Sequence, residues 1–275
     1  MLIYSEVFSV YANYTNTNSH RFSINVINGG LTMSGHSKWN NIKNKKEKSD
    51  AKKAKIFTKM GREIAVAAKS GGANPETNGR LKDAIAKARS YNMPNDNIAR
   101  VIAKAAGEQS TDNYEDIIYE GYGPNGVAVL VETLTDNRNR TAGDVRHYFD
   151  KFGGNLGTNG SVSWMFDRKG IIIIANDGTL DEDTVMMDAL DAGADDFAAE
   201  DDIFEITTEP DVFAQVRDAL EAKEYKFETC EIQMVPQNYI TLTDEHDILM
   251  MEKLIDNLED NDDVQNIYHN WEMAE

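Results

Sequence analysis

The chain has 275 residues, 41% of them hydrophobic and 27% charged, with 28 Lys plus Arg against 47 Asp plus Glu and a net charge of −19. That length can bury more than one core, the aromatic and apolar content argues against a disordered acidic tail protein, and the total charge by itself argues against nucleic acid. The single cysteine, Cys230, excludes a disulfide framework and a Cys-based zinc site and fits a reducing cytoplasm, and the longest apolar run, residues 170–175, is far short of the roughly 20 residues a membrane span needs.

The charge is unevenly spread. Residues 33–110 hold 17 Lys plus Arg and 7 Asp plus Glu, a balance of +10, whereas residues 111–275 hold 10 against 39, a balance of −29. Such asymmetry points to nucleic-acid contact by the basic part, with the acidic part expected to be repelled from phosphate and so to leave the basic part as the route of approach. Residues 1–32 fit neither part and lack the features of a signal or transit peptide. Codons for Asn28-Gly29-Gly30 can spell a bacterial ribosome-binding site ahead of Met33, so residues 1–32 are expected to be a disordered extension from a misassigned start.

In the basic part, a stretch around Lys38, Trp39, Lys43, Lys45 and Lys46 reads as a cationic arm with one aromatic. Cations there can pair with phosphates, and Trp39 can either stack on a base or cover a core. His36 lacks a companion His or Cys and reads as a local hydrogen bonder. Residues 50–70 are helical: Lys52, Lys55, Lys59, Arg62 and Lys69 recur along one side, and Ile56, Met60, Ile64 and Ala68 along another. Asp50 is the expected N-cap and Gly71-Gly72 the stop. A second helix is predicted over 79–91 with Asn78 as cap, and a third after Pro94 with Asn95 capping and Gly107 closing.

In the acidic part, strands are predicted over 117–122 and 127–133, joined by Gly123-Pro124-Asn125-Gly126, then a helix over 138–152. A hairpin is predicted from 161–166 and 170–175, turning at Asp167-Arg168-Lys169. Helices over 184–192, 211–222 and 245–258 alternate with strands over 203–207, 226–235 and 264–268. The acidic runs 195–202 and 256–263 are expected at loops or sheet edges. This irregular order favours an α+β fold with small antiparallel sheets.

Residues 121–126 match G-x-G-x-x-G, but a strand follows instead of a helix, so a hairpin is expected and no dinucleotide site. Hydrolase, phosphate-loop and calcium-loop patterns are absent, and no catalytic residue, metal or cofactor is expected. Cys230 on an alternating strand reads as structural, and His147, beside Tyr148 and Phe149, as packed. Arg138 and Arg140, at a helix start, read either as a second phosphate contact or as partners of local acids.

Several motifs then resemble those of the YebC family, which includes the mitochondrial translational activator of cytochrome oxidase. They are Met33-Ser-Gly-His-Ser-Lys-Trp-Asn-Asn-Ile-Lys43, Ala54-Lys-Ile-Phe-Thr-Lys59, Asn92-Met-Pro-Asn-Asp-Asn-Ile98, Glu120-Gly-Tyr-Gly-Pro124, Thr135-Asp-Asn-Arg-Asn-Arg-Thr141 and Gly160-Ser-Val-Ser-Trp-Met-Phe166. The resemblance implies three domains: a helical one at 33–110, an α/β one at 111–176 plus 238–275, and an acidic α/β one at 177–237 inserted into the second. It also implies either a promoter-binding transcriptional regulator or a ribosome-associated translation factor that assists elongation at proline-rich sequences.

The expectation is a non-enzymatic, cytoplasmic, nucleic-acid-binding regulator, with no membrane and no small-molecule substrate. Lys38, Trp39, Lys43, Lys45, Lys46, Lys52, Lys55, Lys59 and Arg62 are its expected contacts, with Arg138 and Arg140 secondary. Exposed Lys fixes position more than sequence, so DNA and structured ribosomal RNA fit the residues equally. An acidic protein-interaction module is the remaining alternative, and charge reversal at Lys52, Lys55 and Lys59 would leave its activity intact.

Overall fold

A computed structural model describes residues 50–107, 114–200 and 202–272, with side chains from residue 53 onward. Three helices come first: α1 (Asp50–Gly71), α2 (Gly79–Ser90) and α3 (Asn95–Ala106). Their apolar stripes close on one another, with Met60, Ile64, Ala67 and Ala68 of α1 packed on Leu81, Ile85 and Ala88 of α2 and Ile98 and Ala105 of α3. Asn78 caps α2: its Oδ1 accepts from Leu81 N at 3.1 Å, and its Nδ2 donates to the Ala67 and Gly72 carbonyls at 2.8 and 2.7 Å. One side chain thus ends α1 and starts α2. In α3 the expected cap is displaced: Pro94 holds the cap position without a side-chain bond, and Asn95 is the first helical residue.

The chain continues through β1 (Glu115–Tyr122), β2 (Ala128–Thr135), α4 (Arg138–Lys151), β3 (Asn155–Leu156), β4 (Phe166–Ala175), α5 (Glu182–Ala192), β5 (Asp196–Ala199) and β6 (Ile203–Thr208). It ends with α6 (Phe213–Ala222), β7 (Phe227–Pro236), β8 (Ile240–Thr241), α7 (Glu245–Asp260), β9 (Val264–His269) and β10 (Trp271–Glu272). Strands β3-β1-β2-β9 form one four-stranded antiparallel sheet, and β8 and β10 pair in parallel beside it. Helices α4 and α7 cover this sheet, burying Val129, Val131, Val145, Phe149, Leu254 and Leu258.

The second sheet has the order β5-β6-β4-β7, all antiparallel, with α5 and α6 against it. Its elements run β-α-β-β-α-β, a split-βαβ layer of the ferredoxin-like type. All of them lie between β3 and β8 in the chain, so this layer interrupts the first. The expected boundary at 176 would leave β4 outside it, whereas β4 pairs with both β6 and β7. The layer therefore starts at Phe166.

The predicted hairpin at Asp167-Arg168-Lys169 is absent, because β4 runs straight through these residues. They sit where β4 pairs with β7 alone, Asp167 opposite Val235 and Lys169 opposite Gln233, and pairing with β6 begins only at Gly170. A two-stranded ribbon leaves their polar side chains room that a central strand would not. Lys169 bonds to Asp195 at 3.0 Å and to Glu209. His147, expected to be packed, is exposed.

The turn at 123–126 is a short 3-10 helix between β1 and β2. Two glycines of residues 121–126 have different physical reasons, close packing at Gly121 and a left-handed backbone at Gly126. A Cβ on Gly121 would lie 2.7 Å from the Phe149 ring and from the Asn155 carbonyl, and Gly126 has φ +80. Among the described residues, no helix is long and apolar enough to cross a membrane.

Candidate nucleic-acid interface

Three cations of the α1 stripe, Lys55, Lys59 and Arg62, lie on the C-terminal end of α7, while Lys69 is exposed. Lys55 Nζ donates to the Asp260 carbonyl at 3.2 Å and to its carboxylate at 3.1 Å. Lys59 Nζ donates to the Glu259 carbonyl at 2.7 Å, and Lys59 is only 8% exposed. Arg62 Nη1 donates to the Asp262 carbonyl at 2.7 Å and to Asp263 Oδ1 at 3.1 Å, and its guanidinium lies 5.6 Å from the Tyr114 ring centroid. The last carbonyls of a helix have no partners within it and carry the negative end of its dipole, so cations satisfy them twice over.

Asp263 joins the two layers. While Oδ1 accepts from Arg62, Oδ2 accepts from Arg140 Nη2 at 2.7 Å, Thr141 Oγ1 at 2.8 Å and Thr135 Oγ1 at 3.2 Å. Burial opposes charge on this carboxyl, yet the Arg140 and Thr141 bonds outweigh it and hold its pKa below the usual value. Arg140 also pairs with Asp136 at 2.8 Å. Of the two readings of Arg140, the partner of local acids is the one this geometry supports. Arg138 remains exposed and lines a groove of about 490 Å³ with Glu115, Asp116, Glu120 and Glu132.

Helix α2 binds the acidic layers through residues the sequence did not mark. Arg80 pairs with Asp116 at 2.9 Å, Lys82 with Asp218 at 2.6 Å, and Asp83 with the buried Arg217. Lys87 is buried, with Glu231 Oε2 at 3.1 Å, Asn266 Oδ1 at 3.2 Å and Glu63 Oε2 at 3.4 Å. Burial would lower its pKa, but Glu231 and Glu63 prevail and hold it well above the ordinary lysine value. Through these pairs the acidic part neutralises one side of the basic helices.

Exposed cations also lie on the other two basic helices. Arg89, Arg100 and Lys104 are exposed, and none makes an ion pair with a carboxylate of the described residues. Arg89 and Arg100 bond to the neutral amides of Asn95 and Asn97, both at 3.3 Å. They were legible in the sequence as cations, but their exposure depends on which helix faces dock. Lys38, Trp39, Lys43, Lys45 and Lys46 lie outside the described residues, as do residues 1–32. Lys52 lies in α1, with its side chain outside the described set.

A second feature lies on the acidic part. The buried Glu120 carboxylate accepts from the backbone N–H groups of Gly160, Val162 and Ser163 at 2.7, 2.8 and 2.9 Å. Burial alone would raise its pKa; these three bonds lower it. Tyr122 Oη donates to the Ser161 carbonyl at 3.0 Å. The loop so fixed presents Trp164, which is 67% exposed and whose indole N–H donates to the Ser161 carbonyl at 3.1 Å.

Comparison with known proteins fits this arrangement. A profile of the TACO1/YebC protein N-terminal domain matches residues 37–108, and one of the TACO1/YebC second and third domain matches residues 114–271. The chain belongs to the TACO1/YebC family. A "probable transcriptional regulatory protein" of Acetivibrio thermocellus is 63% identical over 239 residues, covering 87% of this chain and 99% of the relative. One of the same name from Finegoldia magna is also 63% identical, over 240 residues, again covering 87% and 99%. The crystal structure of a conserved hypothetical protein from Aquifex aeolicus matches with a TM-score of 0.73 at 42% identity, covering 83% of this chain and 94% of that one.

The family's motifs fall on the contacts described above. Residues 135–141 supply Thr135, Asp136, Arg140 and Thr141 around Asp263. Residues 160–166 form the loop that Glu120, from the motif at 120–124, holds in place. In this TACO1/YebC chain, two of the segments that resemble the family serve inter-element bonding.

Proposed function

We propose that this chain is a nucleic-acid-binding regulator of gene expression, acting on DNA as a transcriptional regulator of the YebC type. The names of its relatives support the regulatory role, and the basic helical layer supports the polymer. The observation that carries the reading is the unneutralised surface of that layer. Arg89, Arg100 and Lys104 stay exposed without a carboxylate among the described residues, although the layer rests against an acidic body. Cations left unpaired beside so much carboxylate suit phosphate, and Lys38, Lys43, Lys45, Lys46 and Lys52 add to them in sequence. The role is non-enzymatic and cytoplasmic and uses no cofactor.

Ribosomal RNA is the competing target, since the same cations read backbone geometry without a base-reading set. The acidic layers would then meet basic ribosomal proteins. Cross-linking in cells followed by sequencing of the bound polymer separates the two. Enrichment of promoter DNA is expected; ribosomal RNA alone would replace the DNA reading, and neither polymer would leave an acidic interaction module. Charge reversal belongs at Arg89, Arg100 and Lys104, because Lys59 is buried against the Glu259 carbonyl and its reversal would disturb packing.

A further inference from the structure

Lys55, Lys59 and Arg62 follow one another at spacings of four and three, so they form a single stripe on α1. Opposite them runs a row of anionic and carbonyl oxygens: the carbonyls of Glu259, Asp260 and Asp262 and the carboxylates of Asp260 and Asp263. A cation stripe against a row of negative oxygens is also what a basic helix makes with a phosphodiester backbone. We propose that the end of α7 and the turn after it, residues 259–263, occupy a phosphate-binding face of α1, and that nucleic-acid phosphates displace them.

The inference rests on the function proposed above and adds a regulatory contact to it. The contacts differ in how readily they can be exchanged. The Lys55–Asp260 pair is exposed on both sides, at 44% and 60%, so it contributes little to stability and is open to a competing anion. Lys59 and Arg62 are more enclosed, and Asp263 is held to its own layer by Arg140, Thr141 and Thr135. Exchange therefore begins at Lys55 and moves inward, and Asp263 stays with the acidic layer when α1 lets go. The resting protein offers phosphate its outward cations and gains the α1 stripe as the polymer seats.

The test uses the full chain with a random-sequence DNA duplex and an RNA hairpin as probes. Asp260→Asn with Asp262→Asn removes charge from the occupying turn. Asp183→Asn with Asp191→Asn, two exposed residues of α5, removes the same charge elsewhere. The first pair should bind about 2- to 5-fold more tightly than the second, the scale of one exposed ion pair. Binding of either probe to the unmodified chain should also speed hydrogen exchange at the Asn261 and Asp263 amides, which bond within the turn. Equal affinity of the two variant pairs, or slower exchange on binding, overturns the displacement while leaving nucleic-acid binding intact. Failure of the unmodified chain and both variants to bind either probe overturns the proposed function and this inference together. Should the first variant pair not fold, the exchange measurement on the unmodified chain decides.

Discussion

Lys87 of α2 and Glu231 of β7 meet at 3.1 Å, both almost wholly buried, where the helical layer crosses onto the second sheet. Asn266 of β9 bonds the same ammonium at 3.2 Å, so all three layers share this point. Removing Lys87 leaves Glu231 and Glu63 without their counter-charge, and Lys87→Met should cost about 3–5 kcal/mol. Urea denaturation measures it. The raised pKa sets the pH window: the contribution is complete below the unfolded lysine value near 10.5 and disappears as pH rises through the higher folded value. Lys87→Met should therefore lose the alkaline transition expected of the unmodified chain.

Asp263 receives bonds from Arg62, Arg140, Thr135 and Thr141, and replacing its carboxylate orphans donors on two layers. Asp263→Ala is expected to destabilise by about 2–3 kcal/mol. Because the folded pKa lies below the unfolded one, this stability is present above the unfolded value near 3.8 and is lost as pH falls through the folded value. Thermal melts across that range test the sign, which should vanish in the variant.

His269 gives a third, separate window. Burial holds its pKa down to about 4 against 6.5, with the Trp271 backbone bond and the Glu259 charge opposing only in part, and its Nδ1 has no partner. The unfolded chain binds a proton that the folded one refuses, so stability should fall by up to about 3 kcal/mol as pH drops from 6.5 to 4. His269→Gln should flatten that slope.

Glu120 fixes the loop at 160–163 with three backbone bonds. Glu120→Ala should raise hydrogen exchange at Gly160, Val162 and Ser163 and cost about 1–3 kcal/mol. Unchanged exchange would mean that Tyr122 and the Trp164 indole hold the loop without it.

Local signals were readable in the sequence. Asn78 caps α2 as expected, and Asn137 starts α4 by accepting from Arg140 N. Gly71-Gly72 ends α1, and apolar spacing marks the faces of all three early helices. What was not legible depended on distance along the chain. Lys59 meets Glu259 and Lys87 meets Glu231 only after both layers form, so a cation that reads as solvent-facing becomes a docking contact. Asp167-Arg168-Lys169 reads as a turn by composition, but pairing with β7 extends it as a strand. Glu120 gave no sign of its role beyond its place in a family motif.

Neutralisation of nucleic-acid phosphate by cations of the helical layer underlies the proposed function. Its most direct test is affinity for duplex DNA as a function of salt, measured for the unmodified chain and for Arg89→Ala/Arg100→Ala/Lys104→Ala. With roughly 6 to 10 phosphates engaged, affinity should fall about 10³- to 10⁵-fold between 50 and 200 mM salt. In the triple variant the slope of log affinity against log salt should shrink by about 3. A flat response in the unmodified chain, or the same slope in both proteins, would contradict the account.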